Sequence, residues 1–229
     1  MIYKNKYFSI LGDSISTLDG YSEPDYASFY EGINKFEADV FSPEDTWWGK
    51  VIDHLGGKLL VNNSFSGSMV AKHKSCMIPS YACSDERTSA LHNRDRLPDV
   101  ILVFMGTNDW GCPIKPAPEK ESEQDGISIF SVAYRVMLEK LQSNYPKAEI
   151  WCFTLPVSTR RNDADFVFPY RYGGIHIEEY CNIIRSCADE YGCRLIDLYL
   201  SGTPHDTIDG FHPNADGMKT LADSVISAL

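Results

Sequence analysis

Short apolar runs alternate with amphipathic stretches along this chain, a pattern that specifies β-α-β units and a parallel sheet. Five runs read as strands: Tyr7 to Leu11, Lys58 to Asn62, Asp99 to Met105, Glu149 to Thr154 and Arg194 to Asp197. Between them the apolar period becomes helical. Met218, Leu221, Ala222, Val225, Ile226 and Leu229 form one stripe, and Ile127, Phe130, Tyr134, Met137, Leu138 and Leu141 form another that ends before Pro146. Further helices are predicted from about Gly174 to Tyr191 and from Trp47 to Leu55, the latter entered through Ser42-Pro43-Glu44-Asp45.

At 229 residues the chain suits one α/β domain spanning 1–229. Its composition, 43% apolar and 23% charged, is that of a globular protein rather than a disordered one. A net charge of -11 argues against a nucleic-acid partner, because such binding draws on Lys and Arg to neutralise phosphates. The amino terminus, MIYKNKYFSI, has no apolar core of signal-peptide length, and no 18-residue apolar run occurs. A cytoplasmic protein without membrane association is expected. The seven cysteines (76, 83, 112, 152, 181, 187 and 193) include no C-x-x-C pair, so free thiols are expected rather than a disulfide framework or a zinc site.

The connections at 18–45, 110–126 and 155–173 are long and leave from strand carboxyl ends, the edge where open α/β sheets place ligands. Four short motifs sit at that same edge: Gly12-Asp13-Ser14, Asn63-Ser64-Phe65-Ser66-Gly67-Ser68, Gly106-Thr107-Asn108-Asp109 and Asp209-Gly210-Phe211-His212.

A serine that attacks an acyl carbon needs an imidazole to take its proton and a carboxylate to fix that imidazole's tautomer. The D-x-x-H spacing at a helix entry lets Asp209 fold back on His212, with Pro213 suited to the first helical position. By itself the same spacing also describes a helix-entry Asp beside an incidental histidine. Ser14 could equally be a helix N-cap, and Asp13 reads as a brace of its turn, since one carboxylate makes no metal site. Donors for a developing oxyanion are available in the Ser14 amide, the Gly67 amide and the Asn108 carboxamide, although Gly67 also suits a tight turn and Asn108 an Asx cap. Four motifs on one edge weigh more than any one alone.

In chain order these motifs resemble the blocks of the SGNH/GDSL hydrolases, and the resemblance spans residues 12 to 213. It implies a three-layer α/β/α sandwich, a five-stranded parallel sheet in flavodoxin-like order, and a Ser-His-Asp esterase with an open groove. On this resemblance Ser14 is the nucleophile, His212 the base and Asp209 its orienter, and the Ser14 amide, Gly67 and Asn108 form the oxyanion hole. Ile15 stands where the family name has leucine, a change expected to affect packing only. The implied function is hydrolysis of carboxylic esters through an acyl-serine, without cofactor or metal. Short acyl groups on a small or carbohydrate-type alcohol are expected, because no long apolar tunnel is evident and the loops are aromatic and acidic.

Two other classes compete. A non-catalytic glycan-binding module on the same fold would use the aromatic loops but would have no need of the triad. A flavodoxin-like nucleotide or flavin protein is opposed by the absence of G-x-G-x-x-G and of a P-loop. Among the other histidines, His205 with Asp206 reads as a solvated loop, His73 as exposed and His54 as a helix C-terminal cap. Trp47 and Trp48 read as core rather than as a sugar platform, because adjacent residues on a helix cannot share one face, and one of the two could be exposed.

Overall fold

The computed structural model describes residues 3–74, 81–112, 114–119 and 126–229. Among them, strands β1 (Tyr7–Gly12), β2 (Lys58–Ser64), β3 (Val100–Phe104), β4 (Glu149–Phe153) and β5 (Arg194–Ile196) pair in parallel in the order β2-β1-β3-β4-β5. This is the flavodoxin-like order, with its switch point between β1 and β3. The chain visits helices α1 (Gly32–Ala38), α2 (Trp47–His54), α3 (Asp85–Ser89), α4 (Thr107–Gly111), α5 (Phe130–Asn144), α6 (Ile177–Glu190), α7 (Leu198–Ser201) and α8 (Ala215–Ser227).

Alternation along the strands divides the core into two layers. Ile101, Val103, Ile150 and Cys152 face α5 and α6, while Val100, Leu102, Phe104, Trp151 and Phe153 face α2 and α8. Both faces of the sheet are covered, so its strands read as near-continuous apolar runs. The result is the three-layer α/β/α sandwich. No helix of the described residues is long and apolar enough to cross a membrane.

Strand ends moved where polar side chains found other work. Asp99 precedes β3 and accepts from the Tyr7 amide and the Lys6 ammonium. Asp197 follows β5, caps α7 and pairs with Arg185. Helix α6 begins at Ile177 rather than near Gly174, with His176 as its cap. Pro213 is not the first residue of α8. Asn214 takes the cap, accepting from the Gly217 amide, and Pro213 lies one position earlier with its carbonyl accepting from Tyr30.

Both tryptophans of α2 are buried in the core, and neither faces water. Both indoles reach the turn after β1, so adjacent positions of the helix both find protein. Trp47 packs edge-on to Phe104 and Phe153, and the two indole N–H groups bond to Ser16, from Trp47 to its hydroxyl (3.2 Å) and from Trp48 to its carbonyl (3.0 Å). His54 is exposed in the last turn of α2, and His73 is half-buried rather than exposed. Cys76 and Pro113 lie outside the described residues.

Candidate active site

Each of the four motifs ends on the carboxyl edge of the sheet. After β1 the chain turns into a 3-10 segment, Ser14–Ser16, whose cap is Asp13: its Oδ1 accepts from the Ile15 amide at 3.1 Å. Gly12 permits this turn, because a Cβ there would lie 2.5 Å from the Ser64 hydroxyl and 2.7 Å from Ser16 Cβ. The turn aims Ser14 at the loop that precedes α8.

The structure brings Ser14, His212 and Asp209 together across 198 residues of chain. The Ser14 hydroxyl lies 2.9 Å from His212 Nε2, and Asp209 Oδ2 lies 2.6 Å from Nδ1. Asp209 Oδ1 accepts from the Phe211 and His212 amides at 2.9 and 2.8 Å, so one carboxylate shapes the D-x-x-H turn and orients the ring. Partial burial raises the Asp209 carboxyl, but the His212 ring and these amides outweigh it and hold the group down at about 2. An ionised carboxylate can only accept, so Nδ1 carries its hydrogen and Nε2 is free to accept from Ser14.

On the other side of the switch point, Asn108 stands in the first turn of α4, its Nδ2 donating to the Ser68 carbonyl at 2.9 Å. That bond uses one of two amide hydrogens and leaves the second to point elsewhere. Gly67 has φ +80, and a side chain there would meet nothing within 4 Å, so its backbone is open to an approaching group. The loop carrying Gly67 is anchored from below: Asp109 accepts from the Val70 and Ala71 amides at 2.8 and 2.9 Å. Burial pushes Asp109 up to about 7 and Asp13 up to about 6; for Asp13 the Ile15 amide, His212, the Thr107 hydroxyl and Arg87 act in the opposite direction.

Arg87 went unnoticed in the sequence. It is fully buried in α3 and ties together three parts of the site: its guanidinium donates to Asn63, to the Ser68 hydroxyl (2.7 Å) and to the Gly12 carbonyl (3.1 Å). Burial lowers it to about 10, and Tyr26, Asp13 and Glu86 oppose that. Nothing in a helix-start D-E-R-T marks an arginine as internal; only the assembled strand ends do.

His205 and Asp206 are not a solvated pair. His205 is 2% exposed, its Nδ1 donates to the Val157 carbonyl at 3.0 Å, and Asp206 accepts from Asn214 at 2.6 Å. The segment 205–207 runs beside 158–161 as an added ribbon under the Asp209 turn, which explains the burial: the Thr159 amide bonds to the His205 carbonyl, and the Ser158 hydroxyl to the Gly210 carbonyl. Burial lowers His205 to about 4 from an unfolded value near 6.5. As pH falls below ~6.5 the unfolded chain takes up the proton first, so stability drains away until pH ~4, where the folded form is protonated as well. The shift corresponds to about 3 kcal/mol. The His205→Gln variant is therefore expected to show a flatter dependence of urea midpoint on pH between 4 and 6.5; an unchanged slope would place the proton uptake elsewhere.

The site opens into a cavity of about 230 Å³ lined by Ser14, Ile15, Thr107, Asn108, Gly111, Cys112, Tyr172, Phe211 and His212. Ile15 thus has a role at the cavity wall beyond packing. Gly67 lies outside that lining. Tyr172, from the loop 155–173, is 55% exposed and packs on Phe211 and Trp110. Among the described residues no group of three or more His, Cys, Asp or Glu side chains could hold a metal ion.

A five-stranded parallel sheet in this order, with a serine, a histidine and an aspartate in hydrogen-bonded sequence at its carboxyl edge, is the three-layer α/β/α fold of the GDSL/SGNH hydrolases. More specifically, the GDSL-like lipase/acylhydrolase model matches residues 6–159, and the chain belongs to that family. The matched span holds Ser14, Gly67 and Asn108, while Asp209 and His212 lie beyond it. Similar solved structures include proteins described as GDSL-like lipases from Bacteroides ovatus (26% identity, TM-score 0.72, covering 98% of this chain and 97% of that chain) and Bacteroides uniformis (29%, 0.73, 98% and 95%). A carbohydrate acetylesterase from Sinorhizobium meliloti shares the fold at 15% identity, with TM-score 0.62 and coverage of 98% and 100%. No curated protein matches the chain.

Proposed function

We propose that this hydrolase cleaves carboxylic esters through an acyl-Ser14 intermediate, with short acyl groups preferred and a small polar or carbohydrate-type alcohol released. The observation that carries the reading is the hydrogen-bonded series Ser14–His212–Asp209 at the wall of the cavity. His212 Nε2 takes the Ser14 proton as Oγ bonds to the ester carbon. The carbonyl oxygen becomes an oxyanion facing the Ser14 and Gly67 amides and the Asn108 carboxamide. The tetrahedral species collapses, His212 protonates the leaving alkoxide, and water attacks the acyl-serine by the same route in reverse. Asp209 stays ionised throughout and stabilises the imidazolium.

A cavity of about 230 Å³ beside Ser14 is consistent with a short acyl group next to the reacting carbonyl. The carbohydrate-type alcohol is supported by the exposed Tyr172 ring at the mouth and is consistent with the substrate class named for the Sinorhizobium acetylesterase.

Hydrolysis of p-nitrophenyl acetate, butyrate and octanoate tests the reading directly, with a fluorophosphonate as a trap whose adduct is mapped by mass spectrometry. The expected result is an adduct on Ser14 and a kcat/KM at least about tenfold higher for acetate than for octanoate. Tyr172→Ala, which removes the ring proposed to face the alcohol, is expected to leave that ratio within about twofold while lowering kcat/KM for an acetylated sugar several-fold. No turnover and no adduct, with retention on immobilised glycans, would favour a binding module instead.

A further inference from the structure

Every proton transfer of the proposed reaction passes through His212, and two hydrogen bonds at opposite edges of a ring fix an axis without fixing the ring's tilt about it. A third contact supplies the tilt. Phe29 lies flat against the imidazole, with ring centroids 3.5 Å apart and planes 7° from parallel. It comes from the long connection 18–45 and is itself held on both sides of the site. Its amide donates to the Thr17 hydroxyl at 2.9 Å, which in turn donates to the Ser14 carbonyl at 2.8 Å. The adjacent Tyr30 is fully buried and donates to the carbonyl of Pro213, the residue after the histidine, at 2.8 Å.

We propose that Phe29 is a positioning residue for His212: it holds the imidazole in line with Ser14 and Asp209 and, through its ring face, stabilises the imidazolium formed as Ser14 is deprotonated. The inference rests on the acyl-serine reading. The negative face of an aromatic ring attracts a cation lying over it, and a flat stack at 3.5 Å places the imidazolium there. The charged or titratable groups facing the imidazole are Asp209 on Nδ1, Ser14 on Nε2 and Asp13 buried beneath the turn. All three belong to the nucleophile turn or the base loop, so changing Phe29 alters none of them chemically.

The test is the pH dependence of kcat and kcat/KM for p-nitrophenyl acetate in wild type, Phe29→Leu, Phe29→Tyr and Ser14→Ala, with melting temperatures. Phe29→Leu is expected to lower plateau kcat about tenfold with KM within about twofold, as mispositioning of a catalytic group does. Its acid limb should move to lower pH by about half a unit, because a cation without the ring face is less favoured. Phe29→Tyr, which keeps the ring face, should restore most of both. A fall in kcat with an unmoved acid limb would leave Phe29 a packing residue and overturn the charge-stabilising part of the proposal; Phe29→Leu kinetics equal to wild type would overturn all of it. Should Phe29→Leu fail to fold, Phe29→Met, nearer in volume, carries the same expectations. Wild-type rates in Ser14→Ala would instead remove the acyl-serine reading, so the two failures are told apart.

Discussion

Ser14→Ala is expected to lower kcat for p-nitrophenyl acetate by about 10⁴-fold or more while leaving the melting temperature within a few degrees of wild type. Among the described contacts of His212, the Ser14 hydroxyl is the group at Nε2, so the variant keeps the base, its orienter and the oxyanion donors but loses the attacking atom. What remains is binding and oxyanion stabilisation acting on water, typically 10³ to 10⁴ above the uncatalysed rate. Ser14 is 7% exposed, and its backbone, not its hydroxyl, carries the turn's hydrogen bonds to Thr17. Stability should therefore be insensitive to the change. A variant that retains more than a tenth of wild-type kcat would move the nucleophile away from Ser14.

Asp209→Asn should be nearly as damaging for a different reason. The asparagine carbonyl can still accept from the Phe211 and His212 amides, so the turn keeps its shape. The group opposite Nδ1 becomes an NH₂ donor, and a donor there favours the tautomer with its hydrogen on Nε2, facing Ser14. Such a ring cannot take the serine proton. A loss of about 10⁴ in kcat is expected where geometry survives and the tautomer is wrong. Because the Asp209 carboxyl is held at about 2, wild-type activity should show no acid limb from its protonation above about pH 3.

The sheet was legible because its strands are buried on both faces. Continuous runs such as Val100 to Phe104 leave few other readings, and the observed strands differ from the expected ones by one or two residues at their ends, where Asp99 and Asp197 take capping or ion-pair partners, β1 and β2 run on to Gly12 and Ser64, and β3 and β4 stop before Met105 and Thr154. Ser14, Asp209 and His212, which the fold brings into one hydrogen-bonded series, sit in short motifs readable in the sequence, since local turn geometry restricts which residues can follow a strand. Contacts between distant segments were not legible. Phe29 is one aromatic residue among many in its loop, and only the folded chain selects it to lie on His212. Arg87, His205 and Trp48 share that difficulty: each looks solvent-compatible in its own helix or loop and becomes internal when another segment is laid across it. Trp47 and Trp48 are covered together because both indoles reach Ser16 in the turn after β1, while Asp53 and His54 keep another side of the same helix wet.

The 198-residue separation of Ser14 and His212 also has a meaning in time. During synthesis at about 5–20 residues per second, the first strand waits roughly 10–40 seconds before the segment bearing the base is made. Until that segment docks, with Tyr30 closing on Pro213, the serine has no proton acceptor beside it. A nascent chain halted before residue 209 would be chemically silent however well its sheet had formed. On the proposed acyl-serine reading, competence for hydrolysis is a late report on complete folding, and partly made copies would not act on esters while they are still being translated.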